Sequence, residues 1–241
     1  MTERPYVLLS CAVSIDGYLD DATDKRLLLS NDEDLDRVDE VRATCDAILV
    51  GANTIRQDNP RLLVRSRERR DRRVGEGRTA SPLKVTVTER GDLDPDAAFF
   101  TSGADGNDRN NRNNRNDGKV VYTSTSAHSR VTERLGAVAD VVDAGEPLSF
   151  GRLLDDLAGR GVARLMVEGG RAVHTQFLVR GLADELHLVV APFFVGDPAA
   201  PRFVADGRFP ANSGNRARLL EARGIGDCVL LRYGLSDRAI G

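Results

Sequence analysis

Residues Leu165–Thr175 read LMVEGGRAVHT, and this order of residues decides the predicted fold. A short apolar run typical of a buried strand ends in Glu168, two glycines follow, and a helical pattern begins. Glycines let the backbone pass close to a flat ligand or a diphosphate. Because ligands gather at the carboxyl ends of strands in open α/β sheets, Glu168 stands where a ligand is expected. A tight structural turn with a solvated glutamate is the alternative interpretation.

Two other apolar runs end in similar small, polar turns. The strand that ends at Val50 leads into Gly51 and a short helix, where backbone N–H groups and the Thr54 hydroxyl suit a phosphate or another anion. The first strand leads into Ser14–Gly17, for which a simple Asx-type turn is the alternative. Three such turns on one rim of a parallel sheet favour a nucleotide-type cleft. The chain contains neither the GxGxxG fingerprint nor a P-loop.

The alternation of strand and helix patterns indicates the fold class. Strands are predicted at Tyr6–Val13, Ala47–Val50, Leu83–Thr88, Val120–Thr123, Val138–Val142, Arg164–Val167 and Glu185–Pro192. Helices are predicted at Ser149–Arg160, at Ala172–Arg180 and after a capping box formed by Ser30 and Glu33. Arg218–Glu221 and Cys228–Tyr233 are predicted to form a final antiparallel hairpin. This order predicts an α/β fold with a mixed, mainly parallel sheet covered by helices on both faces. A length of 241 residues fits one domain over residues 1–241.

Two polar segments interrupt the pattern. Arg65–Ser81 is arginine-rich and is expected to be poorly ordered, and Gly103–Gly118 reads GADGNDRNNRNNRNDG, a low-complexity segment expected to be a disordered loop insertion. An RNA-contacting arginine segment is the alternative. The net charge of −3 and the 5% of aromatic residues do not support nucleic-acid binding.

Several classes of function have no motif in the chain. The cysteines Cys11, Cys45 and Cys228 are widely separated, which predicts reduced thiols in a cytoplasmic protein rather than a metal or redox pair. No apolar run approaches the roughly 18 residues of a membrane span, so no membrane partner is expected. The three histidines lack HExxH or HxE spacing and no GxSxG motif occurs, so no metal site and no hydrolase are predicted.

In their order and spacing, five groups of motifs resemble the RibD C-terminal family, the reductase domain of riboflavin biosynthesis. They are AVSIDG at 12–17, RATCDAILVGANT at 42–54, DNPRLLVR at 58–65, VEGG at 167–170, and LADEL at 182–186 with APFFVG at 191–196. The resemblance implies a dihydrofolate-reductase-like, three-layer αβα fold. It also implies an NADPH-dependent homodimer that opens the ribose of a pyrimidine aminoribosyl 5′-phosphate and reduces its C1′ to give a ribityl chain. The HxE and PCxxC motifs of the associated deaminase are absent, which indicates a stand-alone reductase.

The resemblance also implies roles for individual residues. The expected cofactor-binding residues are Ala12, Gly51, Thr54, Asp58, Glu89, Arg90, Gly169, Gly170, Arg171, Ala172 and Val173. The expected substrate-binding residues are Ser30, Arg42, Leu62, Arg65 and Glu168, with both arginines near the 5′-phosphate. Asp58 and Glu168 are the catalytic candidates for delivering or positioning one proton. A reductase of a pterin or of a natural-product pyrimidine, and a nucleotide-binding protein without turnover, stay open as alternatives, as does the choice between the amino and the deaminated pyrimidine.

Overall fold

A computed structural model describes residues 3–23, 27–103 and 118–239. Residues 104–117 of the expected loop insertion lie outside these ranges, so that expectation stays a prediction. The chain divides into two compact units, one made of residues 1–5 and 39–165 and the other of residues 6–38 and 166–241. None of the helices in the described ranges is both long and apolar enough to cross a bilayer.

The described residues form nine strands and seven α-helices. The strands are β1 (Tyr6–Ser14), β2 (Ala47–Gly51), β3 (Leu83–Thr88), β4 (Lys119–Thr123), β5 (Asp140–Asp143), β6 (Arg164–Gly169), β7 (Glu185–Ala191), β8 (Arg218–Ile225) and β9 (Cys228–Gly234). The helices are α1 (Asp32–Thr44), α2 (Ala52–Asp58), α3 (Arg67–Gly75), α4 (Ala98–Thr101), α5 (Thr125–Leu135), α6 (Phe150–Gly159) and α7 (Arg171–Val179). A short 3₁₀ turn spans Asp237–Ala239.

The first unit is built on parallel strands in the order β5-β4-β3-β2. All five residues of β2 are buried, as expected for a central parallel strand covered on both faces. Helix α6 places Leu153, Leu154 and Leu157 in the core, at the three- and four-residue spacing that makes one apolar face. The predicted strands of this unit are confirmed, although β5 begins at Asp140 rather than Val138.

The second unit has the strand order β6-β1-β7-β9-β8. Strand β1 pairs with β7 in parallel, while β9 pairs antiparallel with both β7 and β8. The mixed, mainly parallel sheet with an antiparallel C-terminal hairpin is therefore confirmed. Leu8, Leu9, Val189 and Phe177 are completely buried and form part of the core.

The expectation that Arg65–Ser81 is poorly ordered is wrong, because helix α3 occupies Arg67–Gly75. Its polar side chains are ordered by specific partners rather than by apolar burial. Arg73, which is 1% exposed, donates to the carbonyl oxygens of Ala43, Cys45 and Thr79 over 2.7–2.9 Å. Composition alone misses such bonds because the partners lie elsewhere in the chain.

The predicted capping box at Ser30 is also wrong. The Oδ1 atom of Asn31 accepts the bond from the backbone N–H of Asp34, which makes Asn31 the capping residue of α1. The Glu33 carboxylate accepts from the N–H of Gly226 in the β8–β9 turn instead of reaching back to the helix start. Both side chains therefore tie the start of α1 to that turn, since Asn31 also donates to the carbonyl oxygen of Ile225.

Candidate functional site

The junction between β6 and α7 is built on glycine. Gly170 has φ +94° and ψ 125°, a backbone conformation that residues with a Cβ rarely adopt. Helix α7 begins directly after it, and Gly170 has no side chain to cap the N–H groups of the first turn, Arg171–Val173. The N–H groups of this first turn and the helix dipole together suit an anion such as a diphosphate.

Glu168 is the second-last residue of β6 and is half-buried. Strand β6 lies next to β1 in the sheet, and β1 carries the predicted cofactor residue Ala12. Ala12 packs on an apolar cluster that includes Leu29, Val189 and Ala191. Leu29 directly precedes Ser30. The cluster therefore holds the segment that carries Ser30 close to Ala12.

Sequence reasoning missed the role of Asp16 in this unit. Its carboxylate accepts from the Ser14 hydroxyl at 2.5 Å and from the backbone N–H groups of Val195 and Gly196 at 3.1 and 2.8 Å. Although desolvation raises the pKa of Asp16, these hydrogen bonds lower it by more, so it lies below its usual value. Asp16 thus ties the carboxyl end of β1 to the loop that follows β7.

The junction between β2 and α2 carries the predicted cofactor residues of the first unit. Gly51 is buried at the end of β2, Thr54 is half-buried on α2, and Asp58 is the exposed last residue of α2. The next strand, β3, pairs Val87 with Gly51, so Glu89 and Arg90, which follow β3, lie at the neighbouring strand end. Both Glu89 and Arg90 are exposed.

The predicted substrate residues Arg42, Leu62 and Arg65 lie together in the first unit. The Arg42 guanidinium donates to the carbonyl oxygen of Leu63 at 3.2 Å. Leu62 is 3% exposed and has φ +49°, which is a strained backbone for a leucine. Such strain persists only where the surroundings hold it, and it is frequent at ligand sites. The structure thus joins Arg42, on α1, to the strained loop that carries Leu62 and Arg65.

The three histidines occupy packing or network positions. His174 is completely buried, and His187 bonds Glu185 at 2.9 Å, whereas His128 approaches the carbonyl oxygen of Val141 at 3.4 Å. Across residues 3–23, 27–103 and 118–239, no group of three or more His, Cys, Asp or Glu side chains has the arrangement of a metal site.

The site residues fall in both units. Arg42, Gly51, Thr54, Asp58, Leu62, Arg65, Glu89 and Arg90 belong to the first, and Ala12, Ser30, Glu168, Gly169, Gly170, Arg171, Ala172 and Val173 belong to the second. Within the first unit, Arg42 bonds the loop that carries Leu62 and Arg65, and Gly51 pairs with Val87 near the end of β3. Their roles toward a cofactor or substrate remain predictions.

Comparison with known proteins identifies the family. Residues 5–231 match the model of the RibD C-terminal domain. The chain is 35% identical over 205 residues to the 2,5-diamino-6-ribosylamino-4(3H)-pyrimidinone 5′-phosphate reductase of Archaeoglobus fulgidus. The matched region covers 85% of this chain and 87% of that protein.

Two solved structures have the same fold. RibD of Acinetobacter baumannii superimposes with a TM-score of 0.73 at 23% identity, covering 96% of this chain and 58% of that longer chain. A pyrimidine reductase-like protein of Corynebacterium diphtheriae gives a TM-score of 0.74 at 22% identity, covering 95% of this chain and 91% of that one. Fold and sequence together define an α/β oxidoreductase, which confirms the predicted fold class. The chain belongs to the RibD C-terminal domain family.

Proposed function

We propose that this protein is an NADPH-dependent reductase of a pyrimidine ribosylamino 5′-phosphate, which it converts from the ribosyl to the ribityl form in riboflavin biosynthesis. The observation that carries the proposal is the 35% identity, over 85% of the chain, to a protein named as such a reductase. The bond between Arg42 and the loop that carries Arg65 supports a phosphorylated substrate, because guanidinium groups match the geometry of phosphate oxygens.

The residues at the start of α7 fit a dinucleotide cofactor. Gly170 holds a conformation that leaves the start of the helix open to a diphosphate, and the N–H groups of Arg171–Val173 are the donors for it. Ala12, Gly51 and Thr54 are the further cofactor contacts, and Arg90 is the partner for the 2′-phosphate, next to Glu89. NADPH supplies the hydride, so the protein has to orient donor and acceptor and manage one proton.

The remaining residues act on the substrate. Arg42 and Arg65 bind the 5′-phosphate, while Ser30, Leu62 and Glu168 contact the rest of the molecule. Glu168 and Asp58 are the two carboxyl groups that position or transfer the proton that accompanies hydride addition at C1′. The half-buried position of Glu168 at a strand end supports Glu168 more than the exposed Asp58 for that task.

The test is NADPH oxidation by the purified protein, with the deaminated and the non-deaminated ribosylaminopyrimidine 5′-phosphates offered in parallel. Turnover of one of them supports the proposal and fixes the order of reduction and deamination. NADPH binding without turnover of either contradicts it.

Arginine variants test recognition of the phosphate. Arg42→Ala is expected to raise the KM for the phosphorylated substrate about tenfold or more, because it removes a charge-assisted contact worth about 1.5–3 kcal/mol. Arg67→Ala is the matched control, since its side chain is 87% exposed and pairs only loosely with Asp71, at 3.7 Å. An Arg42→Ala enzyme with an unchanged KM would favour a reductase of an unphosphorylated pterin or pyrimidine. The homodimer and the cytoplasmic location stay predictions.

A further inference from the structure

A buried carboxylate outside the residues assigned so far holds the loop of Arg65. Asp39 lies on α1 and is 1% exposed. Its Oδ1 atom accepts from the backbone N–H of Arg65 at 2.5 Å, and its Oδ2 atom accepts from the N–H of Ser66 at 3.0 Å and from Arg69 at 3.0 Å. One carboxylate thus fixes the two successive peptide groups where the loop joins α3.

This part of the loop needs such an anchor. Asn59 and Leu62 both have positive φ values, 42° and 49°, and neither is glycine. Backbone strain of this kind costs of the order of 1–3 kcal/mol per residue and persists only when surrounding contacts fix it. The N–H of Val64 donates to the Ser81 hydroxyl at 3.1 Å, so Asp39 supplies the charged acceptor for the next two N–H groups.

The electrostatics keep Asp39 ionised. Burial raises its pKa, but the hydrogen bonds from Arg65, Ser66 and Arg69 lower it by more, so the pKa lies below its usual value. The Arg65 Nε atom is 3.7 Å from Oδ1, while 53% of the Arg65 side chain stays exposed. Asp39 therefore fixes the backbone of Arg65 and lies beside its guanidinium, and that side chain still extends to the surface.

We propose that Asp39 is a positioning residue that holds Arg65 in the orientation required to bind the 5′-phosphate of the substrate. This inference rests on the proposed function, since it assigns Asp39 a task in recognition of the same phosphate. The alternative is a purely structural role, in which Asp39 stabilises the α1–α3 packing through Arg69 alone.

The neighbouring residue Glu40 separates the two roles. Glu40 also joins α1 to α3, through Arg69 at 2.6 Å and Arg72 at 2.6 Å, and both contacts are to guanidinium groups of α3 rather than to the backbone of the loop. Glu40→Gln is therefore the matched control, because it weakens the same helix contact and leaves the peptide groups of Arg65 and Ser66 anchored. Asp39→Asn removes the charge and replaces one acceptor oxygen by a donor, which weakens the anchor.

The experiment compares the steady-state kinetics of Asp39→Asn, Glu40→Gln, Arg65→Ala and the double variant Asp39→Asn/Arg65→Ala. Asp39→Asn is expected to lower kcat/KM for the phosphorylated pyrimidine about tenfold to a hundredfold, mainly through KM, with the KM for NADPH unchanged. The double variant is expected to be no worse than Arg65→Ala, since residues that act through one another are not additive. Glu40→Gln is expected to match the wild type.

Three results would overturn the inference: an unaltered KM for the pyrimidine in Asp39→Asn, a parallel rise in the KM for NADPH, or full additivity with Arg65→Ala. If Asp39→Asn does not fold, Asp39→Glu takes its place, because it keeps the charge opposite Arg69 and displaces the carboxylate by one methylene. A wild-type protein that turns over neither pyrimidine overturns the proposed function and this inference together. An active wild type with an unaffected Asp39 variant overturns this inference alone.

Discussion

The imidazole of His174 packs against the ring of Phe203, with the ring centroids 5.5 Å apart and the ring planes inclined by 56°. His174 is 0% exposed, and neither of its ring nitrogens has a hydrogen-bond partner among the described residues. Burial lowers its pKa from 6.5 to about 4. A neutral imidazole is thus part of the packing of α7, the helix that begins at Gly170.

The buried His174 makes stability depend on pH. The unfolded chain takes up a proton on this residue below pH 6.5, while the folded protein resists it down to about pH 4. Stability from this group is therefore lost as the pH falls from about 6.5 to about 4, by about 3 kcal/mol. Urea unfolding of the wild type and of His174→Leu at several pH values in this range measures the difference. Parallel curves for the two proteins would show that His174 does not titrate in this way.

The Gly170 conformation predicts that alanine at this position lowers both the stability of the protein and its affinity for NADPH. Gly170→Ala is expected to destabilise the protein by about 1–3 kcal/mol and to weaken NADPH binding, because the φ of +94° is strained for alanine. Gly159→Ala, at the end of α6, is the control. A Cβ there meets nothing within 4 Å, so it is expected to stabilise by about 0.4–1 kcal/mol. Thermal unfolding and NADPH titration measure both variants, and an unchanged affinity in Gly170→Ala would remove the α7 start from the cofactor site.

Glu185 is the centre of a buried network in the second unit. It accepts from Tyr6 at 2.8 Å, from Arg232 at 2.6 Å and contacts His187 at 2.9 Å. Burial raises its pKa, but these partners lower it by more, from 4.5 to about 2. Its stabilisation is therefore complete above about pH 4.5 and is lost as the pH falls toward 2.

Removing that charge is expected to be costly. Glu185→Gln leaves Arg232 partly buried without its closest carboxylate, and the expected loss is about 3 kcal/mol at neutral pH. Tyr6→Phe removes one hydrogen bond from the same network and is expected to cost about 1 kcal/mol. Equilibrium unfolding gives both values, and equal losses in the two variants would mean that the charge itself contributes little.

Glu168 and Asp58 are expected to differ in their effect on turnover. Glu168→Gln is expected to lower kcat about 100-fold and to leave NADPH affinity close to that of the wild type, because the amide cannot exchange the proton. Asp58→Asn is expected to have the smaller effect, since Asp58 is exposed at the end of α2. Glu133→Gln, an exposed site on α5, is the control for the loss of one carboxylate. A larger loss in Asp58→Asn would reverse the assignment.

Much of the fold was predictable from local pattern. Strands such as Ala47–Gly51 are contiguous, apolar and buried, so the apolar run alone defines them. Helix α5 was not predicted, because only Ala127, Val131 and Leu135 form its buried side and the rest of the segment is polar. Helix α3 was missed for a related reason, since the partners of Arg69 and Arg73 include carboxylate and carbonyl oxygens that lie 28–30 residues away in the chain.

The candidate site likewise contains features that are visible in the local sequence and features that depend on distant residues. Glycines at strand ends and the motifs around Glu168 are local, and they indicated the junctions at Gly51 and Gly170 that the structure contains. Asp39 and Asp16 were not recognised, because their partners lie 26 and 179 residues away. A local sequence pattern cannot indicate hydrogen bonds between residues so far apart in the chain, so these contacts are visible only in the folded structure.

The second unit combines the beginning of the chain with its end, and this has a consequence for biosynthesis. The backbone N–H of Val7, in β1, donates to the Asp184 side chain 177 residues later, and β1 pairs along its length with β7. At about 5–20 residues per second, a ribosome completes β7 about 10–35 s after β1 has emerged. During that interval the apolar strand VLLSCAV has no partner strand from β7, which makes the nascent chain a candidate client for chaperones. Messages truncated before β7 are therefore expected to yield insoluble or rapidly degraded products.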